Sequence, residues 1–217
     1  MTDPAAFLFP FLERSVVEFK NIVEFVALQS GRKGVVRLVL PPAEAALFCS
    51  NFEASFPDMT VRKSPFGLKT VFSASRFDHF QQRVTCSNNE ELERAYYFGV
   101  ADRVDAARAA EAQNADSREL GTIYGYPDCC ARSYEKIGAH SGVWTQAYFA
   151  IGGQLIRRPA VTNRLSSLTE PYVGFHFDYF PCSPLCHATE QICLQNRADL
   201  LQSDFCDFVS PTEFHSR

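Results

Sequence analysis

Two separated cysteine groups, Cys129-Cys130 and Cys182-Ser183-Pro184-Leu185-Cys186, set the strongest condition on this chain. Each group lies where local signals place the start of a helix. Asp128 is a good N-cap, which puts Cys129 and Cys130 in the first turn of one helix. Ser183 is a good N-cap with Pro184 at the first helical position, which puts Cys186 in the first turn of another and Cys182 just before it. Unpaired N–H groups and the positive end of the helix dipole favour the thiolate there, the form that ligates a metal or attacks an electrophile. If the fold brings the two helix starts together, the four sulfurs form one site.

Eight cysteines in 217 residues is a high count for a chain long enough to bury its own core without staples. The N-terminus, through Pro10, carries no basic segment ahead of its apolar residues, and the expectation is a cytoplasmic protein. In a reducing compartment thiols are buried, catalytic or metal-bound. C-x3-C near a helix start is an acceptable ligand spacing, with Cys129-Cys130 completing the site from across the fold. The repeated C-x2-C knuckles of a zinc ribbon are absent. So is C-x3-C-x2-C, because the next cysteine after Cys186 is Cys193.

Successive helical residues project about 100° apart, which argues against both Cys129 and Cys130 reaching one ion. Three thiolates suit a four-iron four-sulfur cluster with one iron open to a substrate. Four thiolates, or three plus His187, suit a closed zinc site. The expected cofactor is the four-iron four-sulfur cluster, with zinc or mononuclear iron as the alternative. Metal-free core thiols are the plain reading beside them. Cys49, Cys86, Cys193, Cys206 and His79 read as filler.

Gly125-Tyr126-Pro127-Asp128-Cys129-Cys130, followed by Phe180-Pro181-Cys182-Ser183-Pro184-Leu185-Cys186, resembles an uncharacterised prokaryotic family whose members carry G-Y-P-x-C-C and later P-C-S-x-x-C. The likeness covers about residues 120 to 202. It implies that the two motifs form one site, and it implies no substrate.

Around the cysteines, His176 and Asp178 share one face of a predicted strand from Val173 to Tyr179 that leads to the second group. With Tyr126 they are the candidate catalytic residues, handling protons. Tyr124 and Tyr179 flank the motifs, and Arg132 or Arg157-Arg158 are candidates for a substrate carboxylate. His176 precedes Cys182 by six residues, about 20 Å of extended chain, so one ion does not take both unless the chain folds back. The leading expectation is a metalloenzyme, a lyase or transferase. An open iron would act as Lewis acid or hold a sulfur for transfer to a small anionic or sulfur-containing substrate. The alternatives are a structural zinc module without catalysis and a metal-free enzyme with Cys129 or Cys130 as nucleophile beside His176 or His140.

Other function classes lose support. The formal charge of −4 and a pI near 5.7 give no footprint for a polyphosphate backbone, so no nucleic-acid partner is expected. No apolar run approaches the roughly 20 residues that cross a bilayer. G-x-x-x-x-G-K-[ST], G-x-G-x-x-G after a strand, G-x-S-x-G and H-E-x-x-H are all absent.

The expected fold is α+β or α/β, a small mixed sheet with helices and a helical, cysteine-bearing C-terminal part. Residues 1–115 read as a scaffold subdomain and 116–217 as the metal-site subdomain, packed as one unit. Ser15-Val16-Val17-Glu18 reads as a capping box for a helix through Val26 that stops at Gly31, and Val35 to Leu40 as a buried strand. A helix opens at Pro42. Met59–Lys63 and Lys69–Ser75 read as a hairpin around Ser64-Pro65-Phe66-Gly67. The longest predicted helix runs over about 90 to 113, capped by Asn88 or Asn89, with Leu92, Tyr96, Val100 and Val104 on one face. Residues 116–125 read as turns, Ala131 to Ile137 as helix, Trp144, Ala147, Tyr148 and Ile151 as an apolar helical stripe, and about 184–202 as the closing helix.

Overall fold

Val35, Ala95 and Tyr97 face one way and Val36, Leu38, Leu40 and Phe98 the other, the period-2 alternation of a sheet with apolar cover on both faces. The computed structural model describes residues 4–73, 78–85, 92–137, 182 and 186–206. Its strands are β1 Val35–Leu40, β2 Thr60–Ser73, β3 Asp78–Thr85 and β4 Glu93–Gly99, in the order β1-β4-β2-β3. All described pairings are antiparallel, which selects α+β from the two expected classes.

A 3-10 turn at Pro4–Leu8 leads into α1 Phe9–Glu13 and α2 Phe19–Gln29. Helix α3 Pro42–Ser55 opens at Pro42, as the sequence suggests, with Pro41 at the cap position. These elements cover one face with a nest of phenylalanines. Phe7 meets Phe25, Phe48 and Phe52 edge to face at 5.3–6.2 Å, and Phe98 of β4 meets Phe25, Phe48 and Phe52 at 5.0–5.6 Å. Helix α4 Ala101–Ala112 covers the other face with Val104 and Ala107. Then follow α5 Ser117–Ile123, α6 Asp128–Ile137 and α7 His187–Leu200.

Four local expectations need correction. Helix α2 begins at Phe19, with Glu18 as N-cap and Asn21 Oδ1 accepting from Glu18 N at 2.8 Å. Ser15 instead takes the left-handed conformation, φ 57°, where Val16 N and Val17 N bond Phe11 O to close α1. The expected hairpin at Ser64-Pro65-Phe66-Gly67 is a bulge inside the single strand β2. Lys63 pairs with Tyr96 and Gly67 with Arg94, so Ser64, Pro65 and Phe66 stand opposite Ala95 alone. Pro65 lacks a ladder donor, and the bulge is where a strand tolerates that.

The predicted long helix is two elements. Residues 93–99 form strand β4, and the helix starts only at Ala101, with Val100 as its cap. Gly99 makes the break. At φ +146° its absent Cβ would lie 2.3 Å from Gly34 O, so only glycine lets β4 pass β1 before the chain turns. The expected turn region holds α5, capped by Asp116, whose Oδ1 accepts from Arg118 N at 3.0 Å and Glu119 N at 2.8 Å. The Trp144 to Ile151 stripe and the Val173 to Tyr179 strand lie outside the described residues.

Contacts across residue 115 are extensive. Arg32 on the turn after α2 donates from Nε to Asp199 Oδ2 (2.8 Å) and from Nη1 to Asn196 Oδ1 (2.6 Å), both on α7. Phe205 stacks on Phe9 at 4.3 Å. Glu111 at the end of α4 accepts from the hydroxyls of Tyr97 (3.0 Å) and Tyr124, with Arg37 Nε 2.8 Å away. None of the described helices is long and apolar enough to cross a membrane.

Candidate metal centre

Helix α6 opens Asp128-Cys129-Cys130, with Cys130 N and Ala131 N both bonding Pro127 O as its first turn forms. Both cysteines therefore sit in the first turn, as expected, but Asp128 is the first helical residue rather than the N-cap, its carboxylate engaged by Arg132 and Arg118. Helix α7 starts at His187, three residues later than the sequence suggests, so Cys186 is its N-cap (φ −63°, ψ 108°) rather than a first-turn residue. The two helix starts meet because α7 packs along α2, while α6 is carried by α5, which packs on α4. Ala27 of α2 forms the floor under Cys130 and Cys186, with Tyr126, Cys182 and Ile192 around them.

The sulfurs of Cys129, Cys130, Cys182 and Cys186 all lie within 4.8 Å of one another. Cys129 Sγ is 3.8 Å from Cys130 Sγ and 3.8 Å from Cys186 Sγ, and Cys130 Sγ is 3.6 Å from Cys186 Sγ. The four thiols could hold a metal. The expectation that adjacent cysteines diverge is overturned: one freely chosen χ1 on each side chain brings both sulfurs to a common point despite the 100° step between their Cα–Cβ bonds. Cys193, buried in α7, and Cys49 and Cys206 stand outside the group. His187 is exposed and lies beside Glu190, 3.6 Å from its Oε2, so it does not supply a fourth ligand in place of a cysteine.

The surroundings act unequally on these thiols. Burial pushes the Cys130 thiol well above its ordinary range, although Thr189 Oγ1 at 3.5 Å and Cys182 N–H at 3.3 Å favour its thiolate. Burial, with Cys186 and Cys129 adding to it, pushes Cys182 up to about 11. For Cys186 burial also acts upward. It is outweighed by hydrogen bonds from the Thr189 hydroxyl and N–H and from Cys130 and Cys182, which bring it down to about 7. The metal-free group thus holds one ready thiolate beside two thiols that resist ionising. A divalent cation removes that resistance, since it neutralises the charge that burial opposes.

Thr189 is the residue that sequence reasoning missed. Wholly buried at the third position of α7, it touches two of the sulfurs through one hydroxyl. Cys186-x2-Thr189 is a cap-to-N3 spacing, but that signal is visible only once the helix is started at His187.

The candidate catalytic residues fall as follows. Tyr126 stacks on Tyr124 at 5.8 Å, packs against the cysteine group, and lies under Lys33 Nζ, 5.1 Å from its ring centroid. His176 and Asp178 lie outside the described residues, as do His140, Tyr179, Arg157 and Arg158. Arg132 is paired with Asp128 at 2.7 Å, and Arg118 Nε bonds the same carboxylate at 3.0 Å. Tyr124 spends its hydroxyl on Glu111. No family model matches this chain, and no curated protein or solved structure matches it.

Proposed function

We propose that this is a metal-binding α+β protein in which Cys129, Cys130, Cys182 and Cys186 hold one tetrahedral zinc ion that clamps the starts of α6 and α7. The sulfur separations carry the reading. Four thiolates each about 2.3 Å from one ion stand about 3.8 Å apart at the corners of a tetrahedron. The three separations above are 3.6, 3.8 and 3.8 Å. A four-iron cubane is larger than a single ion and holds its thiolates on a wider tetrahedron. Mononuclear iron shares the geometry; zinc is the redox-inert occupant of an all-thiolate site. Four protein ligands fill the coordination shell, which is the pattern of a structural site.

The catalytic iron–sulfur reading draws on a different observation, the exposure of Cys129. A cluster held by Cys130, Cys182 and Cys186 would keep one iron open there for a small anionic or sulfur-containing substrate, with His176, Asp178 and Tyr126 as proton carriers. Anaerobic purification followed by elemental analysis and a visible spectrum separates the two. The proposal expects a colourless protein with about one zinc per chain. Iron with acid-labile sulfide and a brown colour replaces it with the cluster. A chain free of both metals that alkylates rapidly at one cysteine is the metal-free thiol enzyme.

A further inference from the structure

The four cysteines differ in their access to solvent. As a residue Cys129 is exposed and Cys182 half-buried, although within the ligand group both count as half-buried, while Cys130 and Cys186 are buried. Cys129 Sγ has Cys130 Sγ and Cys186 Sγ each at 3.8 Å. We infer that the centre is also an oxidation site for hydrogen peroxide, at which Cys129 reacts first and ends in a Cys129–Cys186 disulfide that replaces the ion as the link between α6 and α7. The inference rests on the metal-site reading.

The chemistry balances without a further reagent. The Cys129 thiolate attacks one peroxide oxygen; the O–O bond breaks, leaving Cys129 sulfenic acid and hydroxide. The Cys186 thiolate then attacks the Cys129 sulfur, the S–O bond breaks, and a second hydroxide departs. Two sulfurs lose two electrons, and the peroxide gains them as two hydroxides, which protons turn to water. Two of the four ligands are consumed, so the ion leaves.

Geometry excludes the sequence neighbour as partner. Cys130 is the sequence neighbour of Cys129, and adjacent Cα atoms are about 3.8 Å apart, short of the roughly 4.4–6.8 Å that disulfides span. The peptide between them is also part of helix α6. Cys186 comes from a separate helix start, so its bond to Cys129 bridges the two elements that the ion joins.

The test treats the zinc-loaded full chain with one equivalent of hydrogen peroxide, follows zinc with a chromophoric chelator, and assigns linkages by fragmentation mass spectrometry. Zinc release in step with the loss of two thiols and a Cys129–Cys186 linkage is expected, reversed by dithiothreitol and fresh zinc. A Cys193→Ala control should behave as the parent does. A Cys129–Cys130, Cys129–Cys182 or Cys182–Cys186 linkage, Cys129 sulfinic acid without a linkage, or zinc retained after two-thiol oxidation overturns the inference and leaves the metal-site reading standing. A chain that takes up no zinc before peroxide is added overturns both.

Discussion

Lys33 Nζ lies 3.0 Å from Glu24 Oε1, and their side chains are 1% and 3% exposed. The same ammonium donates to Tyr124 O at 2.9 Å and sits above the Tyr126 ring. One buried cation thus ties the end of α2 to the segment that delivers Cys129 and Cys130. Removing one partner strands the other charge, so Lys33→Met should cost about 3–5 kcal/mol. Lys33→Met with Glu24→Leu should recover most of that, because the two desolvation penalties vanish together. Urea midpoints of the zinc-loaded proteins measure both. A single variant as stable as the parent would contradict the assignment of this pair.

The ligand set makes a sharper demand on metal content. Cys130→Ser and Cys186→Ser each remove a buried sulfur from the centre of the group, and elemental analysis should find zinc lost from both. Cys49→Ser and Cys206→Ser lie outside the group and should keep the parental content. Equal zinc in all four variants would refute the assignment.

Metal binding should depend steeply on pH. In the metal-free protein Cys130 and Cys182 are raised, Cys182 to about 11, so both carry protons at neutral pH, whereas Cys186 loses its proton near 7. Zinc must displace at least the first two. Between about pH 7 and the titration of Cys182, affinity should therefore fall at least about 100-fold per unit of acidification, and faster below about 7, where Cys186 also protonates. The direction is fixed: acid favours release. Calorimetry in two buffers of different ionisation enthalpy counts the protons directly, and a count below two at pH 7.5 would contradict these raised thiols.

Local signals were enough for some elements and not for others. Pro42 after Val35–Leu40, and Asp128 before Cys129, mark element starts through backbone chemistry that acts within a few residues. Residues 93–99 misled for the opposite reason. Leu92, Tyr96 and Val100 recur at helical spacing, but Ala95 and Tyr97 are buried on one face of β4 and Phe98 on the other, leaving no polar face to reveal the period of 2. A mixed fold of helices and strands was legible from the alternation of their patterns; the choice of α+β over α/β and the antiparallel order β1-β4-β2-β3 were not, since pairing is long-range. The same limit applies to the centre. Each cysteine pair announces a helix start, while their meeting depends on α7 packing along α2 and on Arg32 holding Asp199 and Asn196. Those contacts join residues remote in sequence and leave no local trace.

Packing between α5 and α6 offers a way to disturb the centre without touching a ligand. A Cβ on Gly121 would lie 2.7 Å from Ala131 Cβ. Ala131 is buried next to Cys130 and has no rotamer with which to withdraw, so the helices must separate. Alanine gains about 1 kcal/mol over glycine as a helix former. Overpacking costs about 1–3 kcal/mol and acts in the opposite direction. The clash should win, because the contact is methyl against methyl. Gly121→Ala should therefore lower the melting temperature and weaken zinc binding, as Cys130 shifts with its neighbour. Adding Ala131→Gly returns the space and should restore affinity more fully than stability, since it places a glycine inside α6. Melting curves and competition for zinc against a chelator read the two effects separately. A Gly121→Ala protein that melts higher and binds zinc as tightly as the parent would show that α5 does not hold the first cysteine pair in place.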